Sequence, residues 1–277
     1  MAKKKPTTII ESAKIALEER YDLKEKDTIN TFPTAISWNP DLLWESKTHY
    51  IALEISDIGP FRPTIEIAFG QITLKELPVK IYVAYPKNAN QPKDSYQKDL
   101  KSAKNYGIGI ISVDDNNNFI TEIEKDPVSI PLVINEIDYS IFKKQICPTL
   151  RECYATYMNG NPQMGLQRMY QLIESKIRKL GDQAIINNLL TTGGYSKGDR
   201  SYSLGNLIDD LMRQRIISNA VLGRCRGFVD DRNNVSHEAK TKMEAIKIEK
   251  NTKDNFKLAL RILEELPAAF ANKNNRF

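Results

Sequence analysis

The chain has 277 residues, 41% of them hydrophobic and 27% charged, and a formal net charge of +5 at pH 7. That is enough apolar material for one large domain or two ordinary ones. No apolar run reaches membrane-spanning length, and Met1-Ala2-Lys3-Lys4-Lys5 lacks the apolar stretch of a secretory signal, so a cytoplasmic protein with no membrane partner is expected. Cys147, Cys153 and Cys225 are an odd set without zinc-type spacing and read as reduced thiols; with only two histidines they argue against a Cys/His metal site. A carboxylate site for magnesium stays open. Residues 1–150 hold 19 Lys+Arg and 21 Asp+Glu, whereas residues 151–277 hold 21 and 14. The basic half suits either a polyanion partner or a solvated basic surface.

Taken in order, residues 8–20 carry Ile9, Ile10, Ala13, Ala16 and Leu17 at helical spacing. Ala35–Trp38 reads as a short strand, Asn39-Pro40-Asp41 as a turn, Leu42–Trp44 as an extended apolar run, and Tyr50–Ile55 as the next strand. A crossover helix is expected over 64–77, a strand over Val79–Tyr85, a helix over 94–105, a buried strand over Gly107–Val113 and an edge strand over Phe119–Ile123. Strand, helix and strand repeated in this way imply a parallel or mixed sheet with helices on its faces. Trp38 and Trp44 are assigned to its core. Gly107-Ile108-Gly109 lacks a third glycine and a following helix, which excludes a dinucleotide fingerprint. His49 has no evident partner and is expected at the surface.

The boundary is placed near residues 140–150, giving an α+β chain of two domains, 1–145 and 146–277. The second reads as all helix. Asn161-Pro162 starts a helix that Gly181 is expected to stop, Ser203 and Ser218 cap the next two, Val235 to Ile248 continues as helix, and the last helix runs from Asn251 to a stop at Pro267. The glycine-rich segment Gly193–Gly198 lacks P-loop spacing. The pieces make an antiparallel bundle of four or five helices.

Within that bundle lies Arg232-Asn233-Asn234-Val235-Ser236-His237. Arg232 is a permanent cation with a planar fork that suits phosphate oxygens, Asn233 adds amide donors, and His237 titrates near neutrality when unperturbed. These are the side chains needed for metal-free attack on an RNA phosphodiester. The same residues also suit a polar corner between helices, with Asn234 as a cap and Arg232 paired to Asp230 or Asp231. In one regular helix, residues five apart point roughly 140° away from each other. Arg232 and His237 meet at one phosphate only if a helix starts between them, or if a second chain supplies a partner.

The C-terminal half resembles HEPN domains, helical bundles whose signature is Arg, four to six residues, then His, often with a polar residue directly after the Arg. Arg232, Asn233 and His237 match it over a gap of four, and the resemblance covers about 120 residues. It implies an endoribonuclease of the toxin or antiviral-defence kind. The implied enzyme is a homodimer with both motifs facing one cleft, and it cuts RNA without metal through a 2′,3′-cyclic phosphate. Some HEPN domains only bind, so an adaptor role stays open. Glu174 and Ser175 are candidates to face the cleft or are simply exposed helix residues.

The N-terminal half is similar to restriction-endonuclease-like PD-(D/E)xK domains in its order of helix, three strands, helix and strand. Pro40-Asp41 and Glu54-Ile55-Ser56 fit the metal-binding carboxylates, with Ser56 where that family has Lys. The resemblance implies Mg²⁺ at Asp41 and Glu54 and a DNA nuclease, with Lys47 or Lys80 replacing the missing lysine only if the fold brings either close. The preferred role for this half is sensing, of a nucleic acid or a regulatory protein.

Overall fold

The computed structural model describes residues 8–89, 92–191, 193–232 and 239–271. They form two compact units. One, the sheet unit, takes the described residues up to Glu136 together with Thr156–Pro162 and Ala239–Lys253; the other, the helical unit, takes Ile137–Ala155, the described residues from Gln163 to Arg232, and those from Asp254 onward.

The sheet unit is mixed α/β. Its strands β1 (Leu42–Glu45), β2 (Tyr50–Ile55), β3 (Val79–Pro86), β4 (Gly109–Asp114) and β5 (Ile120–Lys125) lie side by side in chain order. β2, β3 and β4 are parallel, and β1 and β5 pair antiparallel at the two edges. The helices α1 (Ile9–Tyr21), α2 (Thr64–Leu74) and α3 (Lys93–Asn105) cover the faces. The two crossovers α2 and α3 share one face, where Ile65, Ala68 and Ala103 pack on Ala52, Ile81 and Val83. α1 covers the other, with Ala13 and Leu17 against Ile51, Leu53 and Tyr82. Thr8 caps α1 by accepting from the Glu11 amide at 3.2 Å. The central strands are buried on both faces, which is why they read as near-continuous apolar runs. Trp44 is fully buried and Trp38 nearly so, as expected of core residues.

Ala35–Trp38, expected as a strand, is not one. The Ser37 amide donates to the Gln71 side chain of α2 at 2.5 Å instead of joining a ladder, and Trp38 stacks on Phe32 with ring centroids 6.0 Å apart. Two strands, not three, therefore precede the first crossover helix.

At the far edge, Lys125 ends β5 opposite Ile110. Its ammonium is shielded from water and has no hydrogen-bond partner among the described residues. Burial, with repulsion from Lys104 behind it, pushes its pKa down to about 8.

The helical part of the chain holds α4 (Cys147–Met158), α5 (Pro162–Ile186), α6 (Leu204–Arg213), α7 (Asn219–Arg232) and α8 (Lys242–Ala271). α4 covers the stretch where only a boundary is expected. Ser203 caps α6 by accepting from the Asn206 amide. Gly181 does not stop α5; a Cβ there would stand 2.9 Å from the Tyr195 ring and 3.0 Å from Leu207, so glycine serves close packing inside the helix. The expected break near Asn251 is also absent. α8 runs through it and past Pro267, and the Thr252 hydroxyl donates to the Ile248 carbonyl at 2.8 Å within the helix. Cys147, Cys153 and Cys225 are free and buried. No described helix is long and apolar enough to cross a membrane.

Candidate functional site

The β1–β2 hairpin positions the two N-terminal carboxylates. Leu42 pairs with Leu53, so Asp41, just before β1, falls opposite Glu54 near the end of β2. One Asp41 oxygen accepts the Ile55 amide at 2.7 Å, which holds the side chain against the strand end. Glu54 is only 6% exposed. Its Oε1 lies 3.5 Å from an Arg62 guanidinium nitrogen, and Arg62 also donates to the Ile55 carbonyl at 2.6 Å. Glu54 Oε2 and the Trp38 indole N–H are both buried with no close hydrogen bond among the described residues, and Trp38 and Thr64 stand near enough to favour the ionised carboxylate. Burial raises the Glu54 pKa, the Asp41 charge raises it further, and Arg62 opposes both.

The lysines considered as substitutes do not reach this pair. Lys47 lies in the turn at the opposite end of the hairpin. Lys80 pairs with Ile51 on the α1 face, its ammonium over the Tyr21 ring at 5.4 Å from the centroid. Ser56 is buried and its hydroxyl accepts the Gly59 amide. The cation that stands beside Glu54 is Arg62, delivered by a proline-flanked loop. Nothing local in the sequence marks it, because its approach depends on how that loop turns back over the strand end.

Two opposed carboxylates with one orphaned oxygen fit a magnesium ion that takes its remaining ligands from substrate phosphates and water. Among the described residues no group of three His, Cys, Asp or Glu has metal-binding geometry. Asp41 and Glu54 would hold the ion, and it would supply Lewis-acid charge stabilisation.

An acid with a raised folded-state pKa holds its proton more tightly in the native protein than in the unfolded chain. Stability therefore falls as pH rises from the ordinary glutamate value through the raised one. Glu54→Gln keeps the shape and removes the charge. Its thermal midpoint should exceed that of the parent at pH 7 and converge with it near pH 4. A lower midpoint at both pH values would show that the ionised carboxylate is instead a net stabiliser.

His49 is not a free surface histidine. Its Nε2 lies 2.7 Å from Glu249 Oε1, its Nδ1 lies 2.9 Å from the Thr48 hydroxyl, and buried Ser129 donates to Glu249 Oε2 at 2.9 Å. This network ties the first half of α8 to the sheet.

The described part of α7, in the helical unit, ends at Arg232, and α8 begins at Lys242 in the sheet unit. The Arg232 side chain and all of Asn233 and His237 lie outside the described residues, as does Asn234. What precedes them is well anchored. Leu222, Cys225 and Phe228 are fully buried, and the Phe228 ring stacks on Tyr170 with centroids 4.0 Å apart and planes at 21°. Arg224 pairs with Glu265, and Asp230, a candidate partner for Arg232, pairs with Arg226 one turn earlier at 3.5 Å. Glu174 pairs with Arg178 at 2.8 Å, whereas Ser175 is exposed.

No protein-family model matches this chain, and no curated protein or solved structure matches it.

Proposed function

We propose that the chain is a metal-independent endoribonuclease of HEPN type, acting as a toxin or antiviral defence effector, with Arg232, Asn233 and His237 as its catalytic residues. The observation that carries this reading is the motif itself, Arg232-Asn233 followed by His237, lying in the basic half of the chain. Arg232, which opens the motif, is the last described residue of α7, a helix anchored by the buried Leu222, Cys225 and Phe228.

In the proposed reaction a neutral imidazole of His237 takes the proton of a ribose 2′-hydroxyl, and the 2′-oxygen attacks the adjacent phosphorus. The bond from phosphorus to the 5′-oxygen breaks. The leaving oxygen is protonated by the His237 imidazolium of a second copy, leaving a 2′,3′-cyclic phosphate. Arg232 stabilises the extra charge on the phosphoryl oxygens, and Asn233 orients them. The chain is accordingly a homodimer, and its resident cofactor set is empty.

Incubation with RNA in EDTA tests this. Wild type should cleave and leave cyclic-phosphate ends, and His237→Ala should lose roughly a hundredfold or more of the rate. Equal activity in both proteins overturns the assignment of His237.

The convergence of Asp41 and Glu54, with its orphaned buried oxygen, favours a second reading: a Mg²⁺-dependent DNA nuclease of PD-(D/E)xK type in the sheet unit. Cleavage that EDTA stops and Glu54→Gln abolishes would select it. Under the first reading the sheet unit serves as a sensor for a nucleic acid or a regulatory protein. A chain that binds nucleic acid without cleaving it under any of these conditions is an adaptor.

A further inference from the structure

The positive charge of the chain is confined to one unit. The helical unit holds 18 Lys+Arg against 13 Asp+Glu, whereas the sheet unit holds 22 of each. Within the helical unit, three of the cations come together. Lys176 and Lys179 lie one turn apart on α5, and Lys143 approaches them from the segment before α4. The Lys176 pKa is lowered, first by partial burial and then by the charges of Lys179 and Lys143, so the three ammonium groups feel one another. None of the three has a carboxylate partner among the described residues.

The rest of the exposed stripe on α5 supports the same use. α5 contains two acids, and both are turned to internal work: Glu174 pairs with Arg178, and Asp182 accepts from the Tyr195 hydroxyl at 2.7 Å and from the Gly198 amide at 2.8 Å. What remains exposed between Gln171 and Gln183 is Gln171, Ser175, Lys179 and Gln183, spaced four residues apart. This row holds no carboxylate and runs for roughly 18 Å along the helix. Ammonium groups suit phosphate oxygens as point charges, and the amides and hydroxyl can bond sugar and base edges. A row without acids avoids the repulsion that a mixed-charge helix face presents to a polyanion.

We propose that Lys143, Lys176 and Lys179, with the acid-free row of α5, form the surface on which the helical unit grips the sugar–phosphate backbone of RNA. This rests on the reading of the chain as a ribonuclease and supplies the substrate-holding surface that a three-residue catalytic motif lacks. The lysines act in binding and position; they take no part in bond cleavage.

The test is fluorescence anisotropy of the full chain with a labelled 2′-O-methyl oligoribonucleotide, which offers no 2′-hydroxyl for attack, over a range of salt concentrations. Each single-strand phosphate contact contributes about 0.7 to the slope of log K against log salt. The variant K143Q/K176Q/K179Q should therefore lose about 2 from that slope and bind roughly tenfold or more weakly at low salt. The triple Lys→Arg variant at the same positions should keep the slope. A control of equal charge, K87Q/K101Q/K250Q in the sheet unit, should leave it unchanged, and unaltered circular dichroism and thermal midpoints in all variants exclude unfolding.

An unchanged slope in the first variant overturns the proposal. So does an equal loss in the control, which would reduce the effect to net charge. Failure of wild type to bind RNA at low salt, or salt-sensitive binding of anionic phospholipid vesicles in preference to RNA, overturns it as well. Wild type that binds the oligonucleotide with the expected lysine dependence but cuts no RNA leaves the surface standing and removes the catalytic reading.

Discussion

Phe228→Ala is expected to cost about 4 kcal/mol of stability, read as a fall in the urea midpoint at unchanged slope. Phe228 is fully buried, and its ring lies nearly parallel to Tyr170 at 4.0 Å between centroids. Truncation removes the transfer free energy of the ring, leaves a cavity where the helices cannot close up, and forfeits the aromatic pair. Phe228→Leu fills much of the volume and should cost about 1.5 kcal/mol or less. Phe228 is one helical turn before Arg232, at the end of α7. On the proposed reading, loosening it should lower RNA cleavage more than RNA binding, because Lys176 and Lys179 lie more than a turn beyond Tyr170 on α5. A stability loss under about 1 kcal/mol would mean that α7 is held by its polar pairs and not by this ring.

Lys125→Met should have the opposite sign. In the folded chain this ammonium is buried without a partner beside Lys104, and its pKa is pushed down to about 8 from an ordinary 10.5. Between those two values the unfolded chain binds more protons than the folded one, so the stability of the parent rises with pH across that window. Below pH 8 both states are protonated and the full cost of the buried charge is present. Methionine removes the charge at similar length. The variant should gain up to about 3 kcal/mol at pH 7, with the gain falling away by pH 10.5 and beyond. Urea titrations at the two pH values separate this from any effect of the methionine side chain itself, which is the same at both. A gain that does not change with pH would assign the stabilisation to packing alone.

Local signals carried most of the sheet unit. The β-branched runs of β3 and β4 are written in neighbouring residues, and the hairpin then brings Asp41 and Glu54 together by register. Other features depend on partners far along the chain. Ala35–Trp38 has strand-forming residues, yet Ser37 bonds to Gln71, 34 residues away. His49 has its partner 200 residues on, at Glu249, and Arg62 reaches Glu54 through a loop. In the helices, glycine and proline look like stops when only neighbouring residues are considered. Gly181 is instead a point of close approach to Tyr195 and Leu207, and α8 extends past Pro267. The Arg232–His237 motif is legible only as residue types and spacing, because its side chains lie outside the described residues.

All three cysteines fall in the helical unit, where each is buried, and the sheet unit has none. Burial pushes the Cys153 pKa up to about 11 and that of Cys225 up to about 12. Only a thiolate that solvent can reach is alkylated, so in the native protein these groups react when the helices around them part. The rate at which an alkylating reagent consumes thiols is thus a clock for transient openings of the half that carries the proposed chemistry. It is blind to openings of the other half, and it needs no engineered label.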